Sequence, residues 1–204
     1  PGGVGQTEQQ VQAIRDLQPA GYMGTPSFLK IILEKADELG IELVSLKRAL
    51  VSGEAFPPSL RDWLGARGIQ GYQAYGSADL GMIAFETPAR DGLVLSEDLL
   101  LEIVRPGTNE VVPEGEVGEV VVTSLNPDYP LLRFATGDLS AVLPGSCPTG
   151  RSNTRIKGWM GRADQTTKVR GMFVHPGQVA EIVKRFPEAL KARLVVTGEM
   201  ANDQ

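Results

Sequence analysis

The sequence predicts an α/β fold joined to antiparallel β structure, and three observations carry that expectation. Up to Gly81, strand-like runs alternate with amphipathic helical stretches, the pattern of a mostly parallel sheet layered with helices. Beyond Gly81, short apolar runs separated by Gly, Pro and Asn turns point to an antiparallel sheet or small barrel. Past Arg162-Ala163-Asp164, the chain returns to a strand, a helix and a strand, the opening of a second domain. The division predicted is therefore residues 1–161 and residues 162–204.

Each element follows from local chemistry. Thr7 caps a helix running to about Leu17, with Glu8 near its positive end. Gly21-Tyr22-Met23 is a short strand. Pro26 or Ser27 opens a helix to about Leu39, because Phe28, Ile31, Ile32, Lys35 and Ala36 recur at helical spacing and Gly40 ends it. Arg48–Ser52 is a strand, Leu60–Ala66 a helix stopped by Gly68, and Gly71–Tyr75 a strand. The short strands that follow are Met82–Glu86, Leu93–Leu95, Leu99–Val104, Glu119–Thr123 and Asp138–Leu143, and 145–153 is a turn-rich loop. The last domain begins with strand Thr167–Val169, helix Pro176–Phe186 and strand Arg193–Thr197. No repeat or low-complexity tract interrupts this order.

Composition narrows the classes of function. With 42% hydrophobic and 22% charged residues, the 204-residue chain can bury a core of one or two domains. A net charge of −5 argues against a nucleic-acid or anionic-membrane footprint. No apolar run reaches the roughly 20 residues of a membrane span, and the first residues lack a signal pattern. The single Cys allows no internal disulfide, which fits a reducing cytoplasm.

Three stretches carry the chemistry: Tyr75-Gly76-Ser77-Ala78-Asp79, Arg133-Phe134-Ala135-Thr136-Gly137-Asp138-Leu139, and Gly161-Arg162-Ala163-Asp164 leading to Lys168-Val169-Arg170-Gly171. Each alone is a common turn. Together they supply an aromatic to stack on a base, an acid for a metal, an acid for a ribose and a basic glycine turn. Tyr75 ends a parallel strand, where ligands bind in such sheets, and Ser52-Gly53-Glu54 meets the base from the other side. The plainer reading of Tyr75 is an aromatic capping the sheet edge. Asp79 offers hard oxygens to magnesium, or is simply a turn acid. An ionised Asp138 accepts hydrogen bonds from both vicinal ribose hydroxyls; the plainer reading is a Thr-Gly-Asp hairpin turn. The plainer reading of Lys168–Gly171 is a solvated basic turn.

The order and spacing of these motifs resemble the adenylate-forming superfamily, most closely its phenylacetate–coenzyme A ligase branch. Gly24-Thr25-Pro26-Ser27, Ser52-Gly53-Glu54-Ala55-Phe56-Pro57, Gly118–Leu125 and Gly171-Met172-Phe173-Val174-His175-Pro176 extend the resemblance over nearly the whole chain. It implies that residues 1–161 are the later part of a large adenylation domain and that 162–204 are a hinge and the start of a small mobile domain. It implies ATP, magnesium and coenzyme A as cofactors and a small carboxylic acid, aryl in type, as substrate, with neither nucleic acid nor membrane as partner. Gly53, Glu54, Tyr75, Gly76 and Asp138 would bind the nucleotide, Asp79 magnesium, and Arg162 would lie close to the nucleotide. Asp164 would be the pivot, and Lys168 and Gly171 would line the coenzyme A channel.

Departures from the pattern are also legible. The family usually has Ser/Thr and Glu where this chain has Ala78 and Asp79. Its phosphate loop ending in Lys has no counterpart in Pro1–Thr7, and its late catalytic Lys is not found. The chain is therefore expected to be an internal piece of a larger enzyme, inert alone. Passing the adenylate to an acceptor other than coenzyme A is a second possibility, and a degenerate nucleotide-binding or structural module a third. His175 has no acid or Cys partner nearby and reads as packing. Cys147-Pro148-Thr149-Gly150-Arg151 resembles a segment with two Cys in zinc-bearing relatives, but Thr149 replaces one, so no zinc site is expected.

Overall fold

Helix α1 (Thr7–Leu17) begins the fold with a small correction to its start. Gln10 N–H already bonds Gln6 O at 3.1 Å, so the ladder begins one residue early and Thr7 is helical rather than a cap. This computed structural model describes residues 5–169, 172–186 and 188–195. It divides into two compact units, Pro1–Leu93 and Val94–Gln204.

In the first unit, α1 buries Val11 against Ile32 and Ala36 of α2 (Pro26–Glu38). Thr25 caps α2, its Oγ1 accepting from Phe28 N–H at 3.4 Å, with Pro26 preset as the first helical residue. Strands β1 (Gly21–Gly24), β2 (Arg48–Val51) and β3 (Gln70–Ser77) pair in parallel, Gly24 opposite Val51 and Val51 opposite Gln73. β4 (Gly81–Glu86) returns antiparallel to β3. Leu29, Leu33, Val51, Leu64 and Ile69 form the core between this sheet and its helices, among them α3 (Pro58–Ala66). Burying such side chains stabilises the unit by about 1.5–3 kcal/mol each.

Arg61 of α3 reaches across the sheet to Glu86 of β4 in a two-pronged pair, 2.8 and 3.2 Å. The same guanidinium donates to Gly71 O at 2.9 Å and lies 4.6 Å from the Phe56 ring centroid. Glu86 also accepts from the backbone N–H of Gln73 at 3.0 Å. This pair ties helix and strands at one point.

β5 (Leu93–Leu95) is the strand at which the units divide. In the second unit, β6 (Leu99–Val104), β7 (Gly118–Ser124) and β8 (Phe134–Ser140) form an antiparallel sheet. The predicted strand 138–143 is thereby corrected: it begins at Phe134 and breaks at Ala141 before β9 (Val142–Leu143). Thr-Gly-Asp is not a hairpin turn. Glu119 pairs with Leu139 and Val121 with Ala135, so Val120 alone faces Thr136, Gly137 and Asp138, a bulge inside β8. Thr136 Oγ1 secures it by donating to Val120 O at 3.0 Å.

β10 (Arg155–Ile156) pairs with β9, adding a strand after the turn-rich loop that the sequence pattern does not reveal. A single 3-10 turn, Ala163–Gln165, leads to β11 (Thr167–Val169), which pairs with β12 (Met172–Val174). Helix α4 (Pro176–Arg185) follows, opened by Pro176 and by the bond from His175 N–H to Gln178 Oε1, 3.0 Å. Lys184 and Arg185 suit its negative end. Residues 193–195 are not a strand, a further correction, and the rest of the predicted strand, Val196 and Thr197, lies outside the described residues. The predicted class, α/β with antiparallel β structure, is the one observed.

Candidate functional site

The carboxyl ends of β1, β2 and β3 open onto a cavity of about 440 Å³, large enough for a small organic ligand. Parallel strands with helices between them leave their C-terminal ends uncovered, and ligands of open α/β sheets bind there. Met23, Leu50, Ala74, Tyr75 and Met82 make its lining largely apolar, and Gly53, Gly76 and Ser77 bring backbone and one hydroxyl to it. Tyr75, 8% exposed, is part of the cavity wall.

Gly76 is there because nothing else fits. A Cβ built on it would stand 2.3 Å from Gly81 O, where the β3–β4 ladder shifts register after Tyr75. The turn that follows is closed by Ser77, whose Oγ accepts from Leu80 N–H at 3.2 Å, and both Ala78, which lines the cavity, and Asp79 are exposed. Asp79 does not line the cavity, nor does Glu54, which is exposed on the turn after β2. Glu54 still acts on Tyr22. Burial, reinforced by the Glu54 carboxylate, raises the Tyr22 phenol above its usual value. The phenol thus stays protonated and donates to Thr25 O at 3.0 Å, bracing the β1–α2 turn.

In the second unit, the bulge of β8 presents Asp138. Its Oδ1 accepts from Trp159 Nε1–H at 3.0 Å and from Arg162 Nη1–H at 3.1 Å, and its own N–H bonds Thr136 Oγ1 at 3.2 Å. The Asp138 side chain is 18% exposed, so the carboxylate keeps a path to solvent. Gly137 makes room for this contact: its φ is +72°, and a Cβ would fall 2.5 Å from Arg162 Nη2. Arg162 also donates to Thr136 O at 3.2 Å, and its Nε lies 3.7 Å from Asp164 Oδ1. The segment carrying Trp159 and Arg162 is laddered onto β8 and the residue after it, with Lys157 N–H on Ala141 O, Met160 N–H on Leu139 O, and Leu139 N–H on Gly161 O.

The structure thus brings Tyr75, Gly76 and Gly53 to one cavity, and Asp138, Arg162 and Asp164 to one cluster. Lys168 is described only as a backbone position in β11, and Gly171 lies outside the described residues. Arg133 holds Glu102 at 2.9 and 3.3 Å, away from the Asp138 contacts. Cys147 Sγ is 3.1 Å from Thr149 Oγ1, and among the described residues no three His, Cys, Asp or Glu side chains converge. Trp159 is the participant that sequence reasoning misses. An indole two residues before Gly161 carries no signal until the return strand sets it beside Asp138.

The sequence model of the AMP-binding enzyme family matches residues 3–126. Among curated proteins, phenylacetate–coenzyme A ligase of Pseudomonas putida is 36% identical, over 98% of this chain and 47% of that protein. The enzyme of the same name from Aromatoleum evansii is 36% identical over 92% and 44%, and that from Thermus thermophilus 33% over 100% and 48%. The chain spans about half the length of these relatives. Among solved structures, 2-hydroxyisobutyryl-CoA ligase in an open conformation with 2-HIB-AMP and CoA has a TM-score of 0.79 at 27% identity, covering 91% of this chain and 46% of that one. Anthranilate CoA ligase with anthranoyl-AMP, at TM-score 0.65 and 22% identity over 92% and 38%, shares the fold.

Proposed function

The chain belongs to the AMP-binding enzyme family, and from that premise we propose that it is part of a ligase joining a carboxylic acid to coenzyme A through an acyl-adenylate. The observation that carries the reading is the apolar cavity at the ends of β1–β3, walled by Tyr75 and by a Gly76 with no space for a side chain. In this reaction, a carboxylate oxygen attacks the α-phosphorus of ATP, and pyrophosphate leaves. The coenzyme A sulfur then attacks the acyl carbon, the thiol loses its proton, and AMP departs.

In the first unit, Tyr75 stacks on adenine while Gly53 and Gly76 bring backbone close to the base, with Glu54 on the adjoining turn. Met23, Leu50 and Met82 favour a flat apolar acyl group, an aryl acid by class. In the second unit, Asp138 receives the two ribose hydroxyls, a charge-assisted contact that fixes the nucleotide's orientation. Arg162 stabilises charge next to the ribose, and Asp164 is the pivot between residues 1–161 and 162–204. Lys168 and Gly171 then flank the approach of coenzyme A.

Asp79 is a single exposed carboxylate whose hard oxygens would suit magnesium, a cation that does not need a dedicated protein cage. Magnesium held there would supply charge neutralisation for the phosphate oxygens.

The test is carboxylate-dependent AMP release by the complete protein, with and without coenzyme A, over a panel of aryl and short aliphatic acids. Release that needs both acid and coenzyme A bears the reading out. Release that needs acid alone moves the acceptor to another group, and ATP binding without release for any acid makes Ala78 and Asp79 the marks of a silenced site.

A further inference from the structure

We infer that Trp159 is a positioning residue for nucleotide recognition: its indole N–H sets the orientation in which Asp138 meets the ribose. The inference rests on the ribose role proposed for Asp138. One carboxylate oxygen, Oδ1, takes both the Trp159 Nε1–H at 3.0 Å and the Arg162 Nη1–H at 3.1 Å. Two donors on one oxygen fix the plane of the carboxylate and hence the direction of its lone pairs. A carboxylate that must accept from two adjacent hydroxyls gains from being held before the ligand arrives, since less freedom is lost on binding.

The two donors differ in kind. Arg162 carries charge that is attracted equally to phosphate and to Asp164, whose Oδ1 is 3.7 Å from its Nε. Trp159 is neutral, cannot titrate in the working range and has a single N–H to give. Its place is set by backbone: Lys157 N–H on Ala141 O and Met160 N–H on Leu139 O ladder its neighbours to β8 and Ala141 beyond it, and Ser140 Oγ donates to Gly158 O at 2.8 Å. Trp159 is 51% exposed, so burial does not hold its ring; the hydrogen bond to Asp138 Oδ1 orients the indole on that backbone.

The experiment compares ATP with 2′,3′-dideoxy-ATP as nucleotide for the complete protein, in kcat/KM, for wild type, Trp159→Phe and Asp138→Ala. Phe keeps a ring and loses the N–H, and thermal midpoints check that both variants are folded. With a misaligned carboxylate, Trp159→Phe lowers the preference for ATP over the dideoxy analogue by about fivefold, mostly through the KM for ATP. Asp138→Ala abolishes the preference. If Asp138→Ala abolishes it and Trp159→Phe leaves it intact, or weakens both nucleotides by the same factor, Trp159 is a packing residue and the inference is overturned while the ribose role stands. If Asp138→Ala leaves the preference unchanged, the ribose role itself fails, and this inference with it.

Discussion

Asp138 shows how a single residue's role depends on what surrounds it. Its motif, Thr-Gly-Asp, is common as a turn, yet here three residues of β8 face Val120 alone, and the bulge turns the carboxylate toward Trp159 and Arg162. A carboxylate placed in this way recognises vicinal hydroxyls through charge-assisted bonds of about 1.5–3 kcal/mol. Asp138→Ala is therefore expected to raise the KM for ATP by about 10- to 100-fold. His175 makes no contact with that cluster, and His175→Ala is expected to leave the rate within about twofold of wild type. Steady-state kinetics on the complete protein measures both, and similar losses in the two variants would contradict the assignment.

Among elements, α3 is held to the sheet by the Arg61–Glu86 pair as well as by Leu64. Arg61 is 23% exposed and Glu86 10%, so the pair is only partly screened by water. Removing the carboxylate leaves a guanidinium and the Gln73 N–H short of an acceptor. Glu86→Ala should cost about 2–3 kcal/mol, somewhat below a fully buried pair, with Glu86→Gln recovering part of it. Urea unfolding checks this, and a loss below about 0.5 kcal/mol would make the pair ornamental.

The start of α4 carries a pH signature. Burial lowers the His175 pKa from the ordinary 6.5, and among the described residues its Nδ1 has no hydrogen-bond partner. In the window between the lowered folded value and 6.5, the unfolded chain binds the proton and the folded one resists it. Stability is therefore unaffected above that window and falls as pH drops through it. His175→Asn should remove this part of the acid loss, seen as a shallower decline of thermal midpoint with falling pH. Parallel curves for the two proteins would rule the effect out.

For the whole molecule, the proposed pivot predicts that adenylation and thioester formation can be separated. Asp164 sits in a 3-10 turn, the backbone N–H of Gln165 bonding Arg162 O at 3.2 Å. Asp164→Pro fixes φ at that position. Stopped-flow assays of the two half-reactions in the complete protein should then show thioester formation slowed at least about tenfold, with acid-dependent adenylate formation largely kept. Equal slowing of both would place the pivot elsewhere. Among the described residues, no helix is long and apolar enough to cross a membrane.

Much of the architecture was readable from order and periodicity. The helix from Pro26 follows from its cap and helical spacing, and the strands Leu93–Leu95 and Leu99–Val104 from short apolar runs set between turns, all of which act between near neighbours. Tyr75 at the end of a parallel strand was legible for the same reason. What the sequence by itself determined is the α/β class with antiparallel β structure and the residue types of an adenylate-forming family. What only the tertiary structure decided is how Thr136–Asp138 bulges from β8, that β10 exists, and that Trp159 and Arg162 meet on one oxygen of Asp138. Those outcomes depend on register between strands far apart in the chain, where one residue's slip reverses which face a side chain occupies, and no local pattern encodes it.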